Sequence, residues 1–199
     1  KDLKEKGIEV IVAENGSVLR IPEQALSFES GKFEIQEQFH PTADAIGTAL
    51  LVSLQRPGNL VLLDTVFIKG HTDAVTNRQE MGNWGLSAYR AISLWKFWTE
   101  LPGNCAPLKN LKTADLTGIG GVKPLISASG YAETRPTGIL SSEPQVGGRS
   151  TANSADRRID IRFTLASAEK KDLEGLGEKV LEMREKTQKL IDRLKEDEP

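Results

Sequence analysis

The sequence predicts a single α/β domain, an α+β sandwich in which strands and helices bury one core. Short segments rich in β-branched and apolar residues, such as 60–70, are typical of buried strands. Segments with apolar residues three or four positions apart, such as 42–54, are typical of helices that bury one face. With 199 residues, 38% of them hydrophobic and 27% charged, the chain is long enough for a sizeable core.

The first half of the chain alternates strands and helices. Residues 8–21 predict a β-hairpin, because alternating apolar positions flank Asn15-Gly16, a strong two-residue turn signal. Pro41 then opens a helix that reaches Leu54. The run 60–70 predicts a buried central strand, and a second helix follows, with Ser87 as its cap.

The second half contains two more predicted strands and two long loops. Residues 125–133 and 157–166 predict the strands, and along the second of them apolar and charged residues alternate. Residues 103–124 and 134–155 are rich in glycine and polar residues, so we expect surface loops there. Cys105 lies in the first loop and is expected to be an exposed thiol without a catalytic role.

Residues 167–199 predict a charged, amphipathic C-terminal helix. Its apolar stripe follows the a and d positions of about three heptads. The residues of the stripe are Leu173, Leu176, Val180, Met183, Thr187, Leu190 and Leu194. Two interpretations stay open: a helix that packs this stripe on the domain, or a homodimeric coiled coil. The predicted organisation is a hairpin leader (1–17), a central domain (18–166) and this helix (167–199).

The composition excludes several classes of function. The net charge is -2 and basic residues do not cluster, so no nucleic-acid partner is expected. A single cysteine excludes an intrachain disulfide. No apolar run approaches the ~20 residues that span a bilayer. We therefore expect either a soluble protein or the soluble part of a protein whose targeting or anchoring segment lies upstream.

The segment Ile68–Ala91 carries the candidate binding site. Its Gly-His-Thr-Asp motif places Asp73 in the loop after a strand, a usual place for ligands in open α/β sheets, and Arg90 in the first turn of the next helix. A carboxylate and a guanidinium held apart can bind a zwitterion, because one takes an ammonium and the other a carboxylate. The alternative is an Asp73–Arg90 salt bridge, with Asn83 as a cap and Leu86 packed beneath.

Four motifs, in order, resemble those of the OmpA-like peptidoglycan-binding domain. They are IKGHTD, NWGLSAYRA, SASGYAETRP and ADRRIDIRF, and the upstream LSFESGKFEI resembles a further segment of that family. The resemblance covers about residues 18–165. It implies a mixed β-sheet with helices packed on one face.

The resemblance also implies a ligand. In that family the Asp and the Arg of these motifs hold the amine and the carboxylate of meso-diaminopimelate, in the peptide stem of peptidoglycan. Carried over, these residues are Asp73 and Arg90, with Asn83 and Leu86 shaping the site. The full set implied to bind peptidoglycan is Asp73, Arg90, Asn83, Leu86, Thr72, Arg157 and Arg158.

Asn83-Trp84 ahead of LSAYRA looks most similar to stator B subunits of flagellar motors, the MotB type. This implies a periplasmic domain of an inner-membrane protein, a homodimer, and a membrane-embedded stator A-type partner in an ion-driven motor or a related antiphage defence machine. It implies no enzymatic activity and no cofactor. The sequence departs from the family in a longer loop after Asp73, in Ala132 for Gly and in Asp156 for Asn. The alternative function is therefore a structural or dimerisation domain with a decayed or gated site.

Other kinds of site are disfavoured by the residues. His71 and Asp73 could ligate a metal, but no further ligands complete the three or four that a metal site needs. Ser87 and Ser127 lack the Gly-x-Ser-x-Gly turn of a hydrolase nucleophile. The glycines before Lys123 lack the spacing and the final Ser or Thr of a phosphate-binding loop.

Overall fold

A computed structural model describes residues 2–100, 103, 105–113, 122–139 and 152–166. The chain divides into two compact units, Lys1–Leu165 and Ala166–Pro199. All the elements below belong to the first unit, and the predicted C-terminal helix lies outside the described residues. Among the helices that are described, none has the length and hydrophobicity needed to cross a bilayer.

Five strands form one mixed sheet in the order β1-β2-β5-β3-β4. They are β1 (Ile11–Ala13), β2 (Val18–Pro22), β3 (Leu63–His71), β4 (Ile126–Gly130) and β5 (Arg158–Leu165). β3 runs parallel to β4 and antiparallel to β5, and β2 pairs antiparallel with both β1 and β5. The predicted hairpin, central strand and two later strands are therefore confirmed.

Two long helices cover one face of this sheet, after a single N-terminal turn, α1 (Asp2–Glu5). α2 (His40–Leu54) confirms the first predicted helix, and α3 (Gly82–Glu100) is the second. Apolar side chains of both helices pack on apolar residues of β2, β3, β4 and β5 to form the core. Alternate residues of the strands lie on the opposite face of the sheet, which is rich in charge.

α3 begins at Gly82, which is earlier than the start predicted at Ser87. Met81 and Gly82 have φ angles of 64° and 53°, and these two left-handed residues redirect the chain so that the helix can begin. Ser87 is consequently not a cap. Its fully buried hydroxyl donates to the Trp84 carbonyl at 3.0 Å and accepts from the Ala132 N–H at 3.0 Å. Arg90 therefore lies in the third turn of α3, not in the first.

Two glycines allow α3 to lie unusually close to the sheet. A Cβ atom on Gly70 of β3 would lie 1.9 Å from the backbone oxygen of Ser87. A Cβ atom on Gly130 of β4 would lie 2.5 Å from the backbone nitrogen of Ala88. Because these two positions have no side chain, the distance between α3 and strands β3 and β4 can be short. This short distance brings the start of α3 beside the loop that carries Asp73.

Part of the predicted loop at 103–124 belongs to the core instead of the surface. Residues Ala106–Asn110 form a short 3-10 helix, and Cys105 and Leu108 are 2% and 1% exposed. Burial raises the pKa of the Cys105 thiol to about 11. The expectation of an exposed thiol is therefore wrong. Cys105 and the 3-10 turn after it pack into the core, where the thiol contacts the Asp44 carbonyl of α2. The remainder of both long loops lies largely outside the described residues.

Candidate ligand-binding site

A cavity of ≈ 470 Å³ lies at the carboxyl end of β3, between the loop after that strand and the start of α3. Six of the seven residues implied by the sequence line it. They are Thr72, Asp73, Asn83, Leu86, Arg90 and Arg157. The loop directly after β3 supplies the first two, α3 the next three, and the residue just before β5 supplies the last.

Asp73 is buried and its carboxylate is held by three donors. Oδ1 accepts the Val75 N–H at 3.2 Å, and Oδ2 accepts Arg157 Nη1 at 2.6 Å and the Asn153 N–H at 3.3 Å. A carboxylate has about four acceptor sites, so Oδ1 can take one more donor. The Asp73–Arg90 salt bridge of the alternative interpretation is not formed, because Asp73 pairs with Arg157.

Arg157 connects Asp73 to a second carboxylate that the sequence analysis missed. Its Nε donates to Glu23 Oε1 at 2.8 Å, and its Nη2 lies 2.8 Å from Glu23 Oε2. The result is a chain of charges, Glu23–Arg157–Asp73. The pairing of Pro22 with Arg158 explains this contact. Because β2 and β5 are antiparallel, Glu23, which follows Pro22, lies beside Arg157, which precedes Arg158.

Arg90 is buried against the loop that precedes α2. Its Nε donates to the Lys32 carbonyl at 3.0 Å, its Nη2 donates to the Glu29 carbonyl at 3.2 Å, and its Cζ lies 5.0 Å from the Phe28 ring centre. These bonds use two of the five N–H groups of a guanidinium. No described residue accepts a hydrogen bond from Nη1. Burial lowers the pKa of Arg90, yet an arginine stays charged at neutral pH.

Asn83 holds the loop between Asp73 and α3 in place, from a position inside the first turn of α3 and not before it. Its Nδ2 donates to the Val75 carbonyl and to Glu133 Oε2, both at 3.0 Å, and its Oδ1 accepts the Asn77 N–H at 3.2 Å. Leu86 is 7% exposed and forms the apolar floor. These bonds tie the loop to the first turn of α3 and to Glu133 after β4.

Arg158 does not line this cavity. Its Nε donates to Asp160 Oδ2 at 3.2 Å, its Nη1 to the Asp156 carbonyl at 3.2 Å, and its Nη2 to the Arg135 carbonyl at 3.0 Å. Successive residues of a strand point to opposite faces, so Arg157 and Arg158 belong to different sites.

Of the two other departures from the family pattern, Asp156 has a local explanation and Ala132 has none. Asp156 Oδ1 accepts the N–H of Thr137 at 2.6 Å and its hydroxyl at 2.9 Å, so the acid ties the segment after β4 to the start of β5. Ala132 has a φ of 48, a left-handed conformation in which glycine carries less strain. Across the described ranges, no group of three or more His, Cys, Asp or Glu could hold a metal ion.

Comparisons with solved structures establish the fold. The periplasmic domain of Helicobacter pylori MotB has a TM-score of 0.53 and 16% identity, over 88% of this chain and 91% of that one. A MotB-like protein from Desulfovibrio vulgaris has a TM-score of 0.50 and 19% identity, over 82% of this chain and 87% of that one. The chain thus has the OmpA-like, MotB-like fold that the sequence predicts. No protein-family model matches the sequence, and no curated protein matches it either.

Proposed function

We propose that this domain binds peptidoglycan without catalysing a reaction, and that the cavity between Asp73 and Arg90 takes the zwitterionic end of meso-diaminopimelate. The observation that carries the proposal is the unused Nη1 edge of a buried Arg90, in one cavity with a carboxylate that can accept one more donor. The family resemblance of the motifs around both residues supports the same ligand.

The charges of the cavity suit a ligand with one positive and one negative group. Glu23 and Arg157 neutralise each other through two contacts of 2.8 Å. Asp73 and Arg90 then remain as a buried negative and a buried positive charge, and the exposed Arg78 adds one further positive charge to the lining. A ligand ammonium would donate to Asp73 Oδ1, and a ligand carboxylate would accept from Nη1 and Nη2 of Arg90. Neither ligand charge would be left buried without a partner.

In this proposal the domain anchors a membrane complex to the cell wall from the periplasm. The fold shared with MotB periplasmic domains supports this location and this role. The finer proposal is a homodimeric stator-type subunit of an ion-driven machine, with a stator A-type partner reached through an upstream membrane segment.

The test is a pull-down of the full chain with insoluble, diaminopimelate-type peptidoglycan. Asp73→Asn and Arg90→Gln each leave one ligand charge without a partner, so we expect each to weaken binding about tenfold or more. Asp64→Asn and Arg56→Gln are matched controls, because they remove the same charges outside the cavity, from a half-buried aspartate that pairs with Lys123 and from an exposed arginine. Tryptophan fluorescence must show that all four variants are folded.

The outcomes separate the proposal from its alternative. Wild type and both controls in the pellet, with both site variants in the supernatant, would support the proposed site. Wild type in the supernatant would favour a structural or dimerisation domain, and sedimentation of the same sample would then measure whether the chain is a dimer.

A further inference from the structure

A second cavity lies on the face of the sheet opposite to α2 and α3, and the proposed function makes no use of it. Its volume is ≈ 240 Å³. Adjacent strands supply its floor, because Asp160 of β5 pairs with Arg20 of β2 on one side and with Lys69 of β3 on the other. The segment after β4 supplies its rim through Arg135.

The charges in this cavity do not balance. Five basic side chains line it: Arg20, Lys69, Arg135, Arg158 and Arg162. Among the described residues only two acidic side chains, Glu14 and Asp160, line it with them, and both already form ion pairs. Asp160 pairs with both Arg20 and Arg158, and Glu14 pairs with Arg162.

Lys69 and Arg135 remain without an acidic partner among the described residues. Both pack on the ring of Tyr131 instead, with Lys69 Nζ 4.7 Å and Arg135 Cζ 4.4 Å from its centre. The same ring therefore holds two unpaired cations beside one cavity. Two cations held together repel each other unless an anion lies between them.

His71 gives an independent sign that a ligand belongs here. Its ring lines the cavity, is 3% exposed and stacks on Tyr131 at a centroid distance of 5.4 Å. Nε2 lies 3.5 Å from Asp160 Oδ2, but neither ring nitrogen has a hydrogen-bond partner among the described residues. Buried polar atoms are rarely left unsatisfied, so an orphaned imidazole in a basic cavity points to a missing partner.

We propose that this cavity binds a phosphate group, held by Lys69 and Arg135 and hydrogen-bonded to the His71 ring. Phosphate carries between one and two negative charges near neutral pH, which matches the two unpaired cations. A neutral imidazole has one donor and one acceptor. Hydrogen phosphate has acceptor oxygens and an O–H donor, whereas a carboxylate has only acceptors. One hydrogen phosphate can therefore pair with both cations and with one ring nitrogen of His71, whichever of the two carries the proton.

The test measures binding of inorganic phosphate and of glycerol phosphate to the full chain by NMR. The chain has 2 histidines, so the ring signals of His71 and His40 can be assigned with one variant, His40→Gln. We expect added phosphate to shift the His71 ring signals and to leave those of His40 unchanged. Binding of inorganic phosphate alone would identify a site for the free ion, and binding of glycerol phosphate alone a site for an esterified headgroup.

Matched double variants test the assigned cations. Lys69→Gln with Arg135→Gln removes two charges from the cavity and should weaken phosphate binding about tenfold or more. Arg56→Gln with Lys96→Gln removes two charges from exposed positions elsewhere and should leave binding unchanged. Asp73→Asn should also bind phosphate normally, which separates this site from the peptidoglycan site. Unchanged His71 signals with both phosphates, or equal binding by the two double variants, would overturn the proposal.

Discussion

Replacement of Gly70 by alanine tests how closely α3 approaches the sheet, the contact on which the position of Arg90 depends. The φ of Gly70 lies outside the left-handed region, so the backbone itself accepts alanine. The new Cβ atom, however, would lie 1.9 Å from the backbone oxygen of Ser87. That oxygen belongs to a 19-residue helix, and it cannot turn away as the end of a side chain can.

The magnitude follows from this geometry. The helix must retreat from β3 by more than about 1 Å to give the methyl group a normal contact distance. Overpacking of this kind costs about 1–3 kcal/mol, and we expect the upper end because backbone must move and not a side chain. The retreat would also move Arg90 away from the cavity, so peptidoglycan binding should weaken together with stability.

Urea unfolding followed by tryptophan fluorescence is the assay, because all 3 tryptophans, Trp84, Trp95 and Trp98, lie in α3. Gly58→Ala is the comparison. Gly58 has a φ of +88 and nothing within 4 Å of the added Cβ, so it reports backbone strain alone, about 1–2 kcal/mol. If Gly70→Ala is no less stable than Gly58→Ala, the close contact of α3 with β3 is refuted.

Two further predictions concern buried groups. The Cys105 thiol, with its pKa raised to about 11 by burial, should react with a thiol reagent at pH 8 at least about 100-fold more slowly in the folded chain than in urea. Burial, and next the charge of Arg158, lower the pKa of His71 to about 4 despite the opposing charge of Asp160, so between pH 6.5 and about pH 4 it is the unfolded chain that takes up this proton. Folding stability should therefore fall by about 2 kcal/mol between pH 7 and pH 5, and the urea midpoint of His71→Gln should lose that part of the pH dependence.

The sequence predicts those features that depend on neighbours along the chain. Alternation and helical spacing locate every strand and both long helices, because one buried face leaves a period in the sequence. The start of α3 was missed because Gly82 and Gly85 resemble a loop, although the helix needs glycine there: a Cβ on Gly85 would lie 2.7 Å from the Met81 side chain. Cys105 was misplaced because its burial depends on α2 and not on its own polar neighbours.

In the candidate site, too, the sequence predicts what depends on nearby residues and misses what depends on contacts between distant segments. Spacing and resemblance place Asp73 and Arg90 in one candidate site, and both side chains line the cavity at the end of β3. They could not identify Arg157 as the partner of Asp73, 84 positions away, or Glu23 as the partner of Arg157, 134 positions away. These residues meet only through the pairing of β5 with β3 and with β2. Contacts of that range depend on strand register, which one sequence does not specify by itself.

The pairing of Arg157 with Glu23 explains why Asp73 can be both satisfied and ready for a ligand. A buried carboxylate without a partner would destabilise the folded state. The ion pair with Arg157 avoids that loss of stability in the absence of a ligand. Arg157 alone would also cancel the negative charge that a ligand ammonium needs. Glu23 restores it, because it neutralises Arg157 from the other side. The proposed site then offers a buried negative charge at Asp73 and a buried positive charge at Arg90, with the exposed Arg78 as a further cation, and this pattern complements a bound amino acid.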